Sequence, residues 1–459
     1  MLCFWIPAQG RNDGKAKVVL IYKVVSMKND SNQKSVMTGR ERMLKALSYE
    51  QVDRIPVDLG GTVTSGAQVS VVASLRQALG LDKPGEPVKV DEPYQMLGEM
   101  ATDLLDALEI DVVRLPGPMN HFGFSNSHFK PWRTFDGTNV LVPGNFNTEP
   151  EPDGSIVQYP QGDKSQPPSA RMPKGGFYFD AIVRQHPIDE AKLNPADNLE
   201  EFTLLTDDEL TFYEQKAGEL FDHTDLAIAM GLPNAGLGDI AHVPAPALKN
   251  PKGIRDIEEW YISTVTRRDY IKEVFASQVE IAIQNFEMLY QAVGDKVHVV
   301  FVDGTDLAAQ NTLFCSLDGY RDLYLPFSKK LNDWIHAHTQ WKTMKHCCGG
   351  CEPLIEGFIE AGFDILNPIQ TSAMGMDPEH LVEKYGGRIV FWGGGVDTQK
   401  TLPFGTPEDV RREVTERLRV FGAKNGFVFN PVHNIQCNAP AENVLAMFEA
   451  LGRDVSLGK

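Results

Sequence analysis

Eight short runs of β-branched and aromatic residues recur along the chain, and each is followed by a Gly, Pro, Asp or Asn break and then by a helical pattern. Strands that alternate with helices in this way predict an α/β fold with a parallel sheet. The count of eight favours a (β/α)8 TIM barrel over an open doubly wound sheet. The predicted strands lie at residues 55–59, 111–115, 226–230, 297–302, 341–345, 363–367, 388–392 and 426–430. The predicted helices lie at residues 93–108, 207–222, 267–292, 318–338, 352–361, 377–385, 406–422 and 440–451.

The region 125–185 interrupts this alternation. It is rich in Pro, Gly, Asp and aromatic residues and contains hairpin-like segments, so we expect an antiparallel β insertion after the second strand. Such an insertion could line an active site or could be a surface hairpin, and the two interpretations stand equal. We predict a flexible N-terminal tail over residues 1–38, followed by a single barrel domain over residues 39–459 that carries the insertion.

The composition is typical of a large enzyme without nucleic-acid or membrane partners. The chain has 459 residues, 42% of them hydrophobic, and a net charge of −18, so binding to nucleic acid or to an anionic membrane is not expected. Its six cysteines do not make a secreted disulfide framework, and we find no targeting segment. We therefore expect a cytoplasmic protein.

A group of cysteines and a histidine marks the most informative site. The segment from 346 to 351 reads His-Cys-Cys-Gly-Gly-Cys at the end of the fifth predicted strand. His346 and Cys348 are two residues apart on an extended strand and point the same way, so they can bind one soft metal ion together, with zinc as the first candidate. Two alternatives remain: Cys348 and Cys351 have the spacing of a redox disulfide, or the cysteines could be small buried residues. A metal is favoured because a redox C-x-x-C motif should open a helix in a short βαβ domain.

Polar residues accumulate after the predicted strands, at the end that forms the active face of a barrel. Loops after the fifth and eighth strands can meet over the mouth, so either His433 or Cys437 could complete a three-ligand site with one open position, the pattern of a catalytic zinc. His433 could instead satisfy a hydrogen bond, and Cys437 could simply pack. The residues at this end are Asp58, Gly60, Gly61, Thr62, Asp303, Asp306, His346, Cys348, Asn367, Gln370, Gly393, Gly394, Gly395, Val396, Asp397, His433, Asn434, Gln436 and Cys437.

Candidates for catalysis and cofactor binding come from the same set. Asp303, Asp306 and Asp397 could orient a ligand or transfer a proton, although loop aspartates more often cap helices or turns. The glycine run 393–395 would let the backbone approach a bulky planar ligand, or would merely make a tight turn. Together with Asn434, the run is our candidate for cofactor binding. It matches neither a phosphate loop nor a dinucleotide fingerprint.

Several short motifs, spread over nearly the whole chain, carry a family resemblance. They lie at residues 39–42 (GRER), 53–56 (DRIP), 306–310 (DLAAQ), 346–349 (HCCG), 364–368 (DILNP), 392–397 (WGGGVD) and 440–443 (PAEN). In them the sequence resembles the uroporphyrinogen decarboxylase-like barrels, which include zinc-dependent, corrinoid-linked methyltransferases. That methyltransferase branch carries His-x-Cys after one strand, which His346 and Cys348 match. It carries a later Cys as well, whose register falls here on His433 while the nearby thiol is Cys437.

The resemblance implies a methyltransferase that moves a methyl group between a small methylated compound, or a thiol, and a corrinoid (cobalamin) cofactor. The decarboxylase branch holds its polyanionic substrate with a pair of arginines after the first strand, and residues 57–66 contain no arginine. The chain has no Asp-x-His-x-x-Gly corrinoid motif, so a separate corrinoid protein is the implied partner, and a homodimer is a further possibility. The alternatives are a lyase of the same fold that acts on a smaller carboxylic acid, and a non-catalytic ligand-binding barrel.

Overall fold

The chain folds around one parallel sheet whose strands alternate with helices. The computed structural model describes residues 37–453. Within them the strands are β1 Val88–Glu92, β2 Leu97–Gly98, β3 Val112–Leu115, β4 Lys130–Arg133, β5 Asn139–Val142, β6 Ile156–Gln158, β7 Ala170–Met172, β8 Asp180–Ala181, β9 Ala227–Gly231, β10 Val299–Asp303, β11 Lys342–His346, β12 Ile365–Asn367, β13 Val390–Trp392 and β14 Phe427–Val428. The α-helices are α1 Gly39–Leu47, α2 Val69–Ala78, α3 Thr102–Ala107, α4 Asp207–His223, α5 Ile257–Thr266, α6 Arg268–Val293, α7 Leu317–Leu323, α8 Leu325–His338, α9 Ile355–Glu360, α10 Pro378–Tyr385, α11 Thr401–Phe404, α12 Pro407–Phe421 and α13 Ala441–Ala450.

Seven of these strands form a curled parallel sheet. Their order across the sheet is β3, β9, β10, β11, β12, β13 and β14, which is also their order in the chain. Neighbouring parallel strands joined by helical connections are the pattern of a TIM-like barrel. The predicted α/β class is therefore confirmed, and seven of the eight predicted strand runs coincide with strands of this sheet.

The first predicted strand, residues 55–59, contributes one parallel bridge, between Val57 and Phe429. Two backbone hydrogen bonds of 2.8 Å join this segment to Phe429, next to β14. On the other side, the amide of Asp111 donates to the carbonyl of Val57 at 2.9 Å, next to β3. The segment is thus hydrogen bonded to both edges of the seven-stranded sheet.

An apolar layer fills the inside of the curled sheet, and α1 closes it at the amino end of the strands. Met43 and Leu47 of α1 are buried in one cluster with the inward-facing Val112, Met344 and Trp392. The helix begins with a capping box formed by its N-cap threonine and a glutamate three residues later. This end of the sheet is therefore packed shut, which leaves the carboxyl ends of the strands for chemistry.

A buried ion network attaches α1 to the sheet. Arg42, whose side chain is 2% exposed, pairs with Asp111 and with Asp53, and Arg54 pairs with Asp111 as well. Breaking such a network is costly because the remaining charge is left buried without a partner. The GRER and DRIP motifs therefore serve the fold, at the end of the sheet opposite the candidate site.

The predicted helix at residues 93–108 is wrong over its first half. The buried carboxylate of Glu92 accepts hydrogen bonds from the amides of Tyr94 and Gln95, at 3.1 and 2.7 Å, and so turns the chain. The chain then enters β2, which pairs antiparallel with β1. Helical structure begins only at α3. The carboxylate competes successfully with helix formation because it satisfies two amides at once.

The region 125–185 contains two sets of antiparallel strands. β4 pairs with β5, and β7 pairs with both β6 and β8. However, β5 also pairs in parallel with β1, which lies outside the region. The region is therefore not a self-contained antiparallel insertion, since one of its two sheets is mixed and shared with residues 88–98.

The predicted tail at residues 1–38 lies, up to residue 36, outside the described residues. Between residues 37 and 453, no helix has both the length and the apolar character needed to cross a membrane.

Candidate metal centre

Three metal-binding side chains meet at the carboxyl end of the parallel sheet. His346 ends β11, Cys348 follows two residues later, and His433 lies in the segment after β14. One ligand atom from each side chain lies within 4.8 Å of the others, and Cys348 Sγ is 3.5 Å from His346 Nε2. Tetrahedral zinc separates its ligand atoms by roughly 3–4 Å. Small side-chain rotations therefore suffice for one ion to contact all three.

The loop that carries Cys348 is held between two neighbouring loops. Gly349 has a φ of +87°, and a Cβ on it would lie 2.6 Å from carbonyl oxygens of residues 308 and 309. A Cβ on Gly350 would lie 2.5 Å from the Met374 carbonyl oxygen. Only glycine fits at either position. The backbone, rather than a flexible side chain, thus places the Cys348 thiol beside the end of β11.

A hydrogen-bond chain fixes the ring of His346. Its Nδ1 lies 2.7 Å from Oδ1 of Asn367. The Asn367 amide is oriented in turn, because its Nδ2 donates to the Trp392 carbonyl at 3.1 Å and the Thr64 hydroxyl donates to its Oδ1 at 3.2 Å. Oδ1 is therefore the acceptor, and Nδ1 of His346 carries the proton. This leaves the lone pair on Nε2, the nitrogen that faces Cys348, as metal-ligating histidines require.

His433 supplies a buried nitrogen that has no protein partner. The residue is 8% exposed, and within residues 37–453 its buried Nε2 makes no hydrogen bond. Its ring meets that of His346 edge to face, with centroids 5.6 Å apart. Burial, together with the neighbouring His346, holds the pKa of His433 well below its usual value, so the ring stays neutral, the form that binds metal. Buried polar atoms are normally paired, and an ion bound to the three side chains would account for this one.

Cys437 does not join the group that the structure forms from described residues. Its thiol is half-buried, and burial, with a smaller contribution from Asp136, raises its pKa to about 12. Of the two candidates for a third ligand, the structure places His433 with His346 and Cys348.

The remaining cysteines of the cluster are buried thiols. Within residues 37–453, no disulfide joins Cys348 to Cys351. Cys347 Sγ accepts a hydrogen bond from the Leu307 amide at 3.3 Å. A hydrogen bond with Cys347, and then burial, raises the pKa of Cys351 well above its usual value. Both thiols serve the packing behind the loop, outside the three-residue group.

The two aspartates after β10 have different environments. Asp306 accepts a hydrogen bond from the Cys348 amide at 2.6 Å, and its carboxylate lies 3.9 Å from His346 Nε2. Burial raises its pKa, and the nearby His346 offsets part of that effect. Asp303 instead forms a buried ion pair of 2.8 Å with Lys345. Lys345 directly precedes His346 on β11, so its side chain points to the opposite face of the sheet. Asp306 is therefore the aspartate at the candidate site, and Asp303 supports the strand behind it.

The glycine run and Asp397 shape the backbone of the segment that follows β13. Asp397 Oδ1 accepts from the amides of Gln399 and Lys400, at 2.6 and 3.0 Å, and so caps a turn. A Cβ on Gly395 would lie 2.2 Å from the buried ring of Phe429, and one on Gly394 would lie 2.7 Å from the Ile369 carbonyl oxygen. Close packing alone thus explains the second and third glycines of the run. The first, Gly393, has a φ of +101°, which a side chain rarely adopts.

The remaining cofactor candidate, Asn434, braces a loop. Its Oδ1 accepts from the Gly66 amide at 2.6 Å, and its Nδ2 donates to the Val63 carbonyl at 2.9 Å and to Gln95 at 2.8 Å. With these three bonds, the side chain ties the loop after the first predicted strand to the segment that carries His433.

The support of His346 by Asn367 and Thr64 was not foreseen from the sequence. The sequence does contain an indication for Asn367, because this residue ends the sixth predicted strand, and in the structure it pairs in register with His346. The sequence contains no such indication for Thr64, since this residue lies in an irregular loop whose path depends on tertiary contacts.

Comparisons with known proteins agree with the family resemblance. Residues 251–453 match the model of the uroporphyrinogen decarboxylase family, which confirms the resemblance indicated by the motifs. A methyltransferase from Methanosarcina mazei has a similar fold, with a TM-score of 0.53 and 16% sequence identity over 91% of this chain and 98% of that one. A Xanthomonas albilineans dihydropteroate synthase aligns with a TM-score of only 0.26 and 14% identity, over 39% of this chain and 62% of that one, and carries no argument. No curated protein sequence matches the chain.

Proposed function

We propose that the chain, whose residues 251–453 place it with the uroporphyrinogen decarboxylase family, is a zinc-dependent methyltransferase. It would move a methyl group between a small methylated compound, or a thiol, and a corrinoid carried by a partner protein. The observation that carries the proposal is the group of His346, Cys348 and His433 at the carboxyl end of the sheet. Two imidazole nitrogens and one thiolate, with no fourth ligand from the described residues, fit a catalytic zinc that keeps one position for substrate.

The chain's own residues would hold and orient the ion. Asn367 keeps Nε2 of His346 available, and Asp306 fixes the Cys348 backbone through its amide. Burial keeps His433 neutral. When bound, zinc would supply Lewis acidity that lowers the pKa of a thiol or polarises the heteroatom that leaves a methyl group. The corrinoid would serve as the methyl acceptor or donor.

Two further observations favour methyl transfer over decarboxylation. The loop at residues 57–66 has no arginine to clamp a polyanionic tetrapyrrole. The structural neighbour from Methanosarcina mazei is a methyltransferase, which supports the same branch by analogy of fold. Because the chain lacks a corrinoid-binding motif, we propose that the corrinoid protein docks at the carboxyl end of the sheet. We propose also that residues 55–59 act as the first strand of a complete (β/α)8 barrel.

The test is spectroscopic and uses the zinc-loaded full-length protein. Enzyme is mixed with Co(I) cobalamin and a panel of O-, N- and S-methyl compounds, and loss of the Co(I) absorption is followed. The reverse reaction uses methylcobalamin with thiols. We expect turnover in at least one direction that the His346→Ala variant lacks. Turnover that is unchanged in that variant, or decarboxylation of uroporphyrinogen at an enzymatic rate, would contradict the proposal.

A lyase of the same fold and a non-catalytic binder remain the competing functions. Neither requires a metal at the three-residue group, so zinc content separates both from the methyltransferase. A lyase would release carbon dioxide from a small acid in metal-free protein, whereas a binder would show ligand affinity without turnover.

A further inference from the structure

An arginine faces the inside of the curled sheet near its carboxyl end. On β3, Val112 lies in the interior apolar cluster together with Met344, while Leu115 belongs to the core outside the sheet. Side chains alternate along a strand, so Arg114 lies on the same face as Val112, one step nearer the carboxyl end. Its guanidinium is therefore on the side of the sheet from which His346 projects at the end of β11.

Arg114 is the one positively charged side chain on the inner face near the carboxyl ends of the described strands. Among the inward-facing residues nearest the carboxyl ends of the seven described strands, it is the one Arg or Lys. A single fixed positive charge suits one anionic group rather than the many carboxylates of a tetrapyrrole. The corresponding residues on the other strands are Gly231, Phe301, His346, Asn367, Trp392 and Val428.

The guanidinium has unused hydrogen-bond donors. Its Nη2 pairs with a carboxylate oxygen of Asp91, and this is its one hydrogen bond to residues 37–453. A guanidinium has five N–H donors, so Nε and Nη1 are available to a ligand. The side chain is 17% exposed, so a small molecule can reach it. Burial lowers the pKa of Arg114 to about 10, which leaves it positively charged at neutral pH.

Small residues lie beside Arg114 on the inner face. Ala229 of β9 is its partner in the ladder. Ala227 and Gly231, on the same face of β9, also lack bulk. The next strand, β10, places the half-buried ring of Phe301 at 5.8 Å from that of His346. The inner face of the sheet between Arg114 on β3 and Phe301 on β10 is therefore lined by small residues, and the Phe301 ring adjoins that of His346.

We propose that Arg114 binds a carboxylate of the substrate, so that the transferable methyl group belongs to a small methylated monocarboxylic acid. The statement about the methyl group rests on the methyltransferase function proposed above. The binding of the carboxylate does not depend on catalysis. Asp91 would share the guanidinium with the substrate and keep it positioned when the site is empty. The competing interpretation is a structural ion pair that merely holds β1 over the sheet.

The two interpretations differ in what they predict for Asp91. If Arg114 is an anion site, Asp91→Asn removes a competing negative charge, so a carboxylate binds as tightly as before or more tightly. If the pair is only structural, Asp91→Asn and Arg114→Met disturb the protein alike, and neither affects a carboxylate more than its neutral analogue.

The experiment is a calorimetric titration of the zinc-loaded full-length protein at neutral pH. The probes are two matched pairs, 4-methoxybenzoate with 4-methoxybenzamide, and methoxyacetate with methoxyacetamide. We expect at least one acid to bind at least tenfold more tightly than its amide, about 1.4 kcal/mol. Arg114→Met should abolish this preference, Arg114→Lys should retain part of it, and Asp91→Asn should preserve or increase it.

Zinc content and thermal unfolding of each variant serve as controls for folding. The proposal is overturned if no acid is preferred over its amide, or if a preference survives in correctly folded, zinc-containing Arg114→Met protein. If Arg114→Met does not fold, loss of the preference in Asp91→Asn overturns it instead. Neither result bears on corrinoid methylation, so failure here is distinguishable from failure of the proposed function.

Discussion

Removing the hydrogen bond that orients His346 should weaken zinc binding without abolishing it. In Asn367→Ala, the 2.7 Å bond from His346 Nδ1 is lost, in a place where the two residues are 4% and 1% exposed. Without this fixed acceptor, the imidazole is free to adopt the other tautomer or to rotate. Partners of this kind change metal affinity by about 10- to 100-fold, roughly 1.4–2.7 kcal/mol. Zinc should still bind at one ion per chain when it is in excess.

The assay is competition for zinc with a chromophoric chelator under reducing conditions. Asn285→Ala provides a matched control, because Asn285 is also fully buried and makes two hydrogen bonds, one from the Leu205 amide and one to the Thr203 carbonyl, each 2.9 Å long. Both variants should lose stability, and only Asn367→Ala should lose affinity for zinc. Wild-type affinity in Asn367→Ala, or equal losses in the two variants, would refute the assigned tautomer.

Three further changes test other parts of the account. Burial raises the pKa of Asp58 from 3.8 to about 6, so the folded protein binds its proton more tightly than the unfolded chain does, and stability from this group is lost as pH rises from about 4 to 6. In urea unfolding, the unfolding free energy of the wild type should fall by about 3 kcal/mol relative to that of Asp58→Asn as the pH rises from about 4 to 6. Arg42→Met should lower the unfolding free energy by about 3–5 kcal/mol, because it leaves Asp111 buried and partly unpaired. Gly395→Ala should cost about 1–3 kcal/mol in the same assay, since its methyl group would strike Phe429; unchanged stability would mean that the glycine is not required by packing.

Much of the fold follows from local sequence patterns. The alternation of apolar runs with helical patterns located all seven strands of the parallel sheet, because buried parallel strands are continuous apolar segments with clear breaks. His346 and Cys348 were identifiable for a similar reason: two ligands two residues apart at a strand end are a local feature. The helix predicted at 93–108 is wrong over its first half because the buried carboxylate of Glu92 accepts hydrogen bonds from two backbone amides. A periodic pattern of apolar residues gives no sign of such a contact.

Other features depend on contacts between distant segments. Both His433 and Cys437 follow the eighth predicted strand, and composition alone could not choose between them, since their placement depends on how the loop crosses the sheet. The inward direction of Arg114 was also hidden, because both faces of a parallel strand are buried and alternation alone does not say which face is the inner one. The functions of Asp397 and of the glycine run became clear only from the amides and rings that they contact.

The most direct test of the metal centre is zinc content, measured by elemental analysis on protein purified under reducing conditions without chelators. We expect about one zinc per chain in the wild type, in line with a three-ligand site. His346→Ala, Cys348→Ser and His433→Ala should each lose it, whereas Cys437→Ser, the matched change at the other candidate, should retain it. Wild-type protein without metal, or full zinc retention in His433→Ala, would contradict the account.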